Sequence, residues 1–88
     1  MIKPEYAVVI TFSYHPQVSV LLFNDRKSAM AFIRKDAEEE LELDEEYGRT
    51  SSLVINEDEG TAVLHTGYSD DVGITEWKIG TIFEQEET

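Results

Sequence analysis

Only one stretch of this chain carries a helical period, and the apolar residues outside it mostly alternate with period two. Ala29, Met30, Ile33, Ala37 and Leu41 recur at three- and four-residue spacing, spanning about 120° of a helical wheel at about 100° per residue. Phe32 and Leu43 flank this stripe and widen it. Asn24 or Asp25 is placed to cap the helix start, and Gly48 to take the left-handed turn after Tyr47. One amphipathic helix and several alternating segments leave few folds open, since each apolar stripe must be buried against another element.

The alternating segments are five. Tyr6 to Tyr14 puts Tyr6, Val8, Ile10, Phe12 and Tyr14 on one face, with Ala7, Val9, Thr11 and Ser13 on the other. That second face is mixed, as in a strand partly covered on both sides. His15-Pro16-Gln17 breaks the pattern, because proline lacks an N–H and restricts its predecessor. Val18 to Phe23 resumes it, and the short link predicts an antiparallel hairpin. After the helix, Thr50 to Ile55 and Thr61 to Thr66 flank Asn56 to Gly60, a second hairpin. Thr66 to Gly73 reads as a loop, and Ile74 to Phe83 as the last strand, with a bulge or bend at Gly80 and Ile82. Glu84 to Thr88 is an acidic tail expected to fray. The predicted fold is a single α+β domain over 1–88, one helix packed on a mostly antiparallel sheet, in the order β-β-α-β-β-β.

Charge is the unusual quantity. Nineteen Asp and Glu against seven Lys and Arg give a formal charge of −12 in 88 residues, where a magnitude of about 2 to 8 keeps a small domain soluble. Electrostatic binding to DNA, RNA or an anionic membrane is excluded, because each requires a positive surface. There is no Cys, so no disulfide, thiolate nucleophile or thiolate metal site can form. Met1 to Tyr6 lacks the features of a signal peptide, and a cytoplasmic protein is expected.

The excess is concentrated. From Asp36 to Glu46 eight of eleven residues are acidic, while Arg26, Lys27, Arg34 and Lys35 lie nearer the helix start. Acids at a helix C-terminus oppose the backbone dipole by about 0.3 to 1 kcal/mol each. The like-charge pairs Asp36–Glu40, Glu38–Glu42, Glu40–Asp44 and Glu42–Glu46 each cost about 0.2 to 0.5 kcal/mol more. Arg34 and Lys35 offset part of this through Glu38 and Glu39. Such a helix is charged against its own stability, which points to a use for the acids. Asp36, Glu38, Glu39, Glu42, Glu45 and Glu46 are the candidate partner-binding residues, docking a basic or nucleic-acid-binding protein. The sharper form is a DNA mimic, because eight charges over about 15 Å of helix axis approach the linear density of a duplex. The competing readings are a solvated, merely solubilising face and weak cation binding.

Chemistry-bearing motifs are not evident. His15 and His65 lie on different elements with no zinc-ligand spacing between them. There is no nucleophile elbow or phosphate-binding glycine loop, and the 56–60 segment lacks the ligand spacing of a calcium loop. No catalytic, cofactor-binding or metal-ligating residue is assigned, no cofactor is expected, and an enzyme is not expected. A different class of function, a small-ligand or catalytic domain using an open sheet face, predicts a pocket with convergent polar groups. A third, a homodimer pairing through an edge strand, predicts association in solution. Most aromatics are spaced as core residues; Tyr47 and Tyr68 lie near loops, where tyrosine serves protein interfaces.

Tyr6-Ala7-Val8-Val9-Ile10-Thr11-Phe12, the acidic run, and Val72 to Gly80 together resemble short uncharacterised acidic proteins of bacteria, some of them carried near mobile elements. The resemblance covers most of the chain and implies no activity and no site residue. Size and acidity are also similar to those of small phage or mobile-element inhibitors that imitate DNA, a likeness of charge alone.

Overall fold

A computed structural model describes residues 5–13, 15–67 and 72–81. Its elements are β1 (Tyr6–Phe12), β2 (His15–Phe23), α1 (Arg26–Glu46), β3 (Thr50–Asn56), β4 (Thr61–Gly67) and β5 (Val72–Thr81). The strands form one sheet in the order β2-β1-β5-β4-β3, with every neighbouring pair antiparallel. The fold is therefore the expected α+β arrangement, and the last strand in sequence is the central strand in space.

Register follows from the alternation. Trp77 on β5 stands opposite Ile10 of β1 and Ala62 of β4, so the residues that must be buried fall in one row. Val8, Ile33, Leu64 and Trp77 are the largest fully buried side chains, and each such burial contributes about 1.5 to 3 kcal/mol. The helix stripe is as expected at Ala29, Met30, Ile33 and Ala37, which are buried. Leu41 packs partly against the core, and Phe32 meets Phe23 with ring centroids 5.5 Å apart. Leu43 does not widen the stripe; it is exposed.

Both helix ends are set by local chemistry. Asp25 is the N-cap, its carboxylate accepting the Ser28 N–H at 2.7 Å; that bond, with a second from the Ser28 hydroxyl, holds the Asp25 carboxyl below its ordinary range. At the other end the Gly48 N–H donates to the Glu45 carbonyl and the Arg49 N–H to that of Asp44. With Gly48 at φ +73°, this is the Schellman arrangement that satisfies two otherwise orphaned carbonyls.

Several details differ from the sequence reading, among them β1 ending at Phe12, before Ser13. β2 begins at His15, because edge-strand position tolerates a proline whose missing N–H need not join the ladder. β5 begins at Val72, so Val72 and Gly73 belong to a strand, paired with Gly67 and Thr66. No bulge occurs at Gly80, which stays in register opposite Ala7; the irregularity lies instead between Thr11 and Phe12 of β1, where Phe12 meets His15. The readings placed on Tyr14, Tyr68, Asp70, Asp71, Ile82, Phe83 and the 84–88 tail fall outside the described residues. Among the described residues, no helix is long and apolar enough to cross a membrane.

The helix covers one face of the sheet, toward its β3–β4 half. Among the described residues, no element covers the other face. Its β2 row is aliphatic, with Val18, Val20 and Leu22 each more than half exposed.

Candidate functional site

The acidic run is divided by the helix geometry into two sets with different work. Asp36, Glu40 and Asp44 follow one another at i,i+4 along the flank that faces the sheet, and Asp36 and Glu40 are half-buried there while Asp44 is 6% exposed. Glu38, Glu39, Glu42, Glu45 and Glu46 are all exposed. At about 100° per residue those five cover an arc of about 120°, centred on the side of the helix away from the core.

The inward acids are structural. The Asp44 carboxylate accepts the Ser51 hydroxyl at 2.7 Å and the Thr66 hydroxyl at 2.6 Å, and the Arg49 guanidinium stands 3.4 Å away. These contacts fasten the end of α1 to the start of β3 and the end of β4. A buried acid is tolerated because its oxygens are met by donors. Asp36 accepts the indole N–H of the buried Trp77 at 2.8 Å, the partner a buried tryptophan requires. Glu40 lies between these two acids on the helix. Burial, and then the charges of Asp36, Asp44 and Glu39, push its carboxyl above the ordinary range.

Among the six candidates, then, Asp36 is committed to Trp77, and the structure brings the other five together on one outward surface. The charges that offset them are few. Arg26 donates to the Glu57 and Asp58 carbonyls in the β3–β4 turn. Arg34 bonds to the Glu57 carboxylate, which raises its own proton affinity, and reaches Glu38 at 3.7 Å. Arg49, besides Asp44, lies 5.2 Å over the Tyr47 ring. All three arginines are thus turned to internal contacts, two of them tying the 56–60 hairpin to the helix. The last turn of α1 contains no basic residue.

Sequence reasoning assigned neither Glu40 nor Asp44 a partner. The signal was available for Asp44, seven residues after Ala37 and in line with the stripe. An acid at a core position predicts buried donors, yet nothing local identifies Ser51 and Thr66 as those donors. His65 is exposed on β4, as a sheet-surface residue should be. Among the described residues, no group of acids and histidines is arranged to hold a metal ion. No family model, curated protein or solved structure matches the chain.

Proposed function

We propose that this protein is a non-enzymatic interaction module whose helix presents Glu38, Glu39, Glu42, Glu45 and Glu46 to a basic partner protein. The observation that carries the reading is the segregation of the run. Three acids have inward positions, two of them with defined bonds, whereas five remain on one exposed arc, Glu45 and Glu46 in the last turn where the backbone dipole disfavours them. A cluster of this kind accelerates encounter with a positive surface and weakens steeply as salt rises. In its sharper form, the five carboxylates take the place of DNA phosphates on a nucleic-acid-binding protein.

The test compares the wild type with a variant carrying Gln at all five positions. Each is immobilised, exposed to lysate of the native host at low and moderate salt, and then washed with duplex DNA. A basic protein retained only by the wild type, lost as salt rises and displaced by duplex supports the mimic. Retention that is salt-sensitive but indifferent to duplex supports a basic partner of another kind. The same catch on both proteins removes the acidic surface from consideration. The variant should also unfold at higher urea, because the like-charge pairs Glu38–Glu42 and Glu42–Glu46 are gone, each costing about 0.2 to 0.5 kcal/mol.

A further inference from the structure

The open face of the sheet is a second surface, unrelated to the acidic helix. Antiparallel sheets that face water on one side ordinarily place polar residues there. Here the exposed side chains include Val18, Val20 and Leu22 on β2, at 55%, 57% and 59% exposure, Val54 on β3 at 63%, and Ile74 on β5 at 40%. Between them Val9 and Val63 are half-buried. Aliphatic side chains on both edge strands, with Val9 and Val63 inward of them, exceed the scattered apolar residues normal on a monomer.

Charge selects the occupant. The protein carries −12 in all, yet among the described residues the strands place only Glu76, Lys78 and His65 as ionisable groups on this face. With histidine counted as neutral, the strand residues of this face carry no net charge. Two copies meeting through their helices would bring like charges together, whereas two copies meeting through their sheets would not. The positions of the pair go further. Glu76 and Lys78 project from β5, the central strand, two residues apart and thus about 7 Å along it. Around them stand Thr11 and Val63, opposite Glu76, and Val9 and Thr61, opposite Lys78. A twofold axis passing between the two side chains sets Glu76 of one copy against Lys78 of the other, and the converse, as an isologous contact demands.

The size is adequate. Five strands about 4.8 Å apart and seven residues of about 3.4 Å give a flat area of about 550 Å² per copy. Two copies in full contact together bury about 1,100 Å², above the roughly 1,000 Å² expected of a specific interface and below the about 1,600 Å² of a standard one.

We propose that two copies of this chain associate face to face through the open sheet, with Glu76 and Lys78 exchanged across a twofold axis around an aliphatic contact. The assay is sedimentation equilibrium over a concentration series for the wild type, Glu76→Lys, Lys78→Glu and the double exchange, with far-UV circular dichroism to establish that each variant is folded. The wild type should move from the 10.0 kDa chain mass to twice that mass as concentration rises. Each single reversal should weaken association about tenfold or more, since like charges then face one another, and the double exchange should restore it. Val20→Asp, on the same face, should also abolish it. A wild type that stays at chain mass up to about 1 mM overturns the proposal, that being the weakest association considered. So does a dimer indifferent to all four changes, which would point to pairing through the β2 edge.

Discussion

Replacing Asp44 with Ala should produce the largest loss of stability of any single change in the acidic run. The carboxylate accepts hydroxyls from Ser51 at 2.7 Å and Thr66 at 2.6 Å. Hydrogen bonds to a charged group contribute about 1.5 to 3 kcal/mol each. Thr66 is buried, so its hydroxyl would lose its acceptor, at a cost of about 1 to 3 kcal/mol. Ser51 is half-buried and can turn to water, so less of its bond is lost. The Arg49 pair, at 3.4 Å with a 40% exposed arginine, contributes at the level of a surface pair, about 0 to 1 kcal/mol. Against these, the substitution removes a buried charge and an acid from a helix C-terminus, and it introduces a better helix former. The net loss should be about 2 to 4 kcal/mol, a large part of the roughly 4 to 13 kcal/mol that holds a domain of this size. Urea unfolding followed by Trp77 fluorescence measures it, with an unchanged slope marking a pure stability effect. The reasoning also requires coupling. Thr66→Val removes the donor that Asp44→Ala would orphan, so the double variant should lose less than the sum of the singles, by about 1 kcal/mol or more. Strict additivity, or a single-variant loss below about 1 kcal/mol, would refute the anchoring role assigned to Asp44.

Three further outcomes are expected. Glu40 holds its proton more tightly folded than unfolded. Its contribution is therefore fully present below its unfolded value and lost as pH rises through the raised folded value; Glu40→Gln should flatten that part of the pH–stability profile, and an unaltered profile would contradict the assignment. Asp36→Ala leaves the Trp77 indole N–H without its acceptor and should cost about 1 to 3 kcal/mol, with a shift in Trp77 emission that Asp36→Asn, which retains an acceptor oxygen, largely avoids. Gly60 has φ +69° and an added Cβ there would lie 3.1 Å from Ile79, whereas Gly48 at φ +73° faces open space; Gly48→Ala should cost about 1 to 2 kcal/mol from backbone strain alone, and Gly60→Ala more, as thermal unfolding of the pair would reveal.

Local chemistry along the chain sets the elements and the face each buries. Period-two alternation through Tyr6–Phe12, the stripe from Ala29 to Ala37, Asp25 as a cap and Gly48 beyond the last turn are statements about neighbouring residues. The forces involved, steric preference, capping and burial of one face, act over a few residues and leave their period in the chain. It also determined that the acids of α1 oppose the helix dipole. The tertiary structure alone decided which of those acids are free to meet a partner. Ser51 and Thr66 lie seven and 22 residues from Asp44, and Trp77 lies 41 from Asp36; the packing of the β3–β4 hairpin beneath α1 brings the first two donors under the helix, and the insertion of β5 between β1 and β4 brings the third. The same insertion puts Glu76 and Lys78 at the centre of the open face and leaves β2, with its exposed aliphatics, at the edge. Strand order rests on contacts between residues far apart in the chain, whose energies no local pattern records, so the division of one acidic run into anchors and exposed charges appears only once the sheet has closed beneath it.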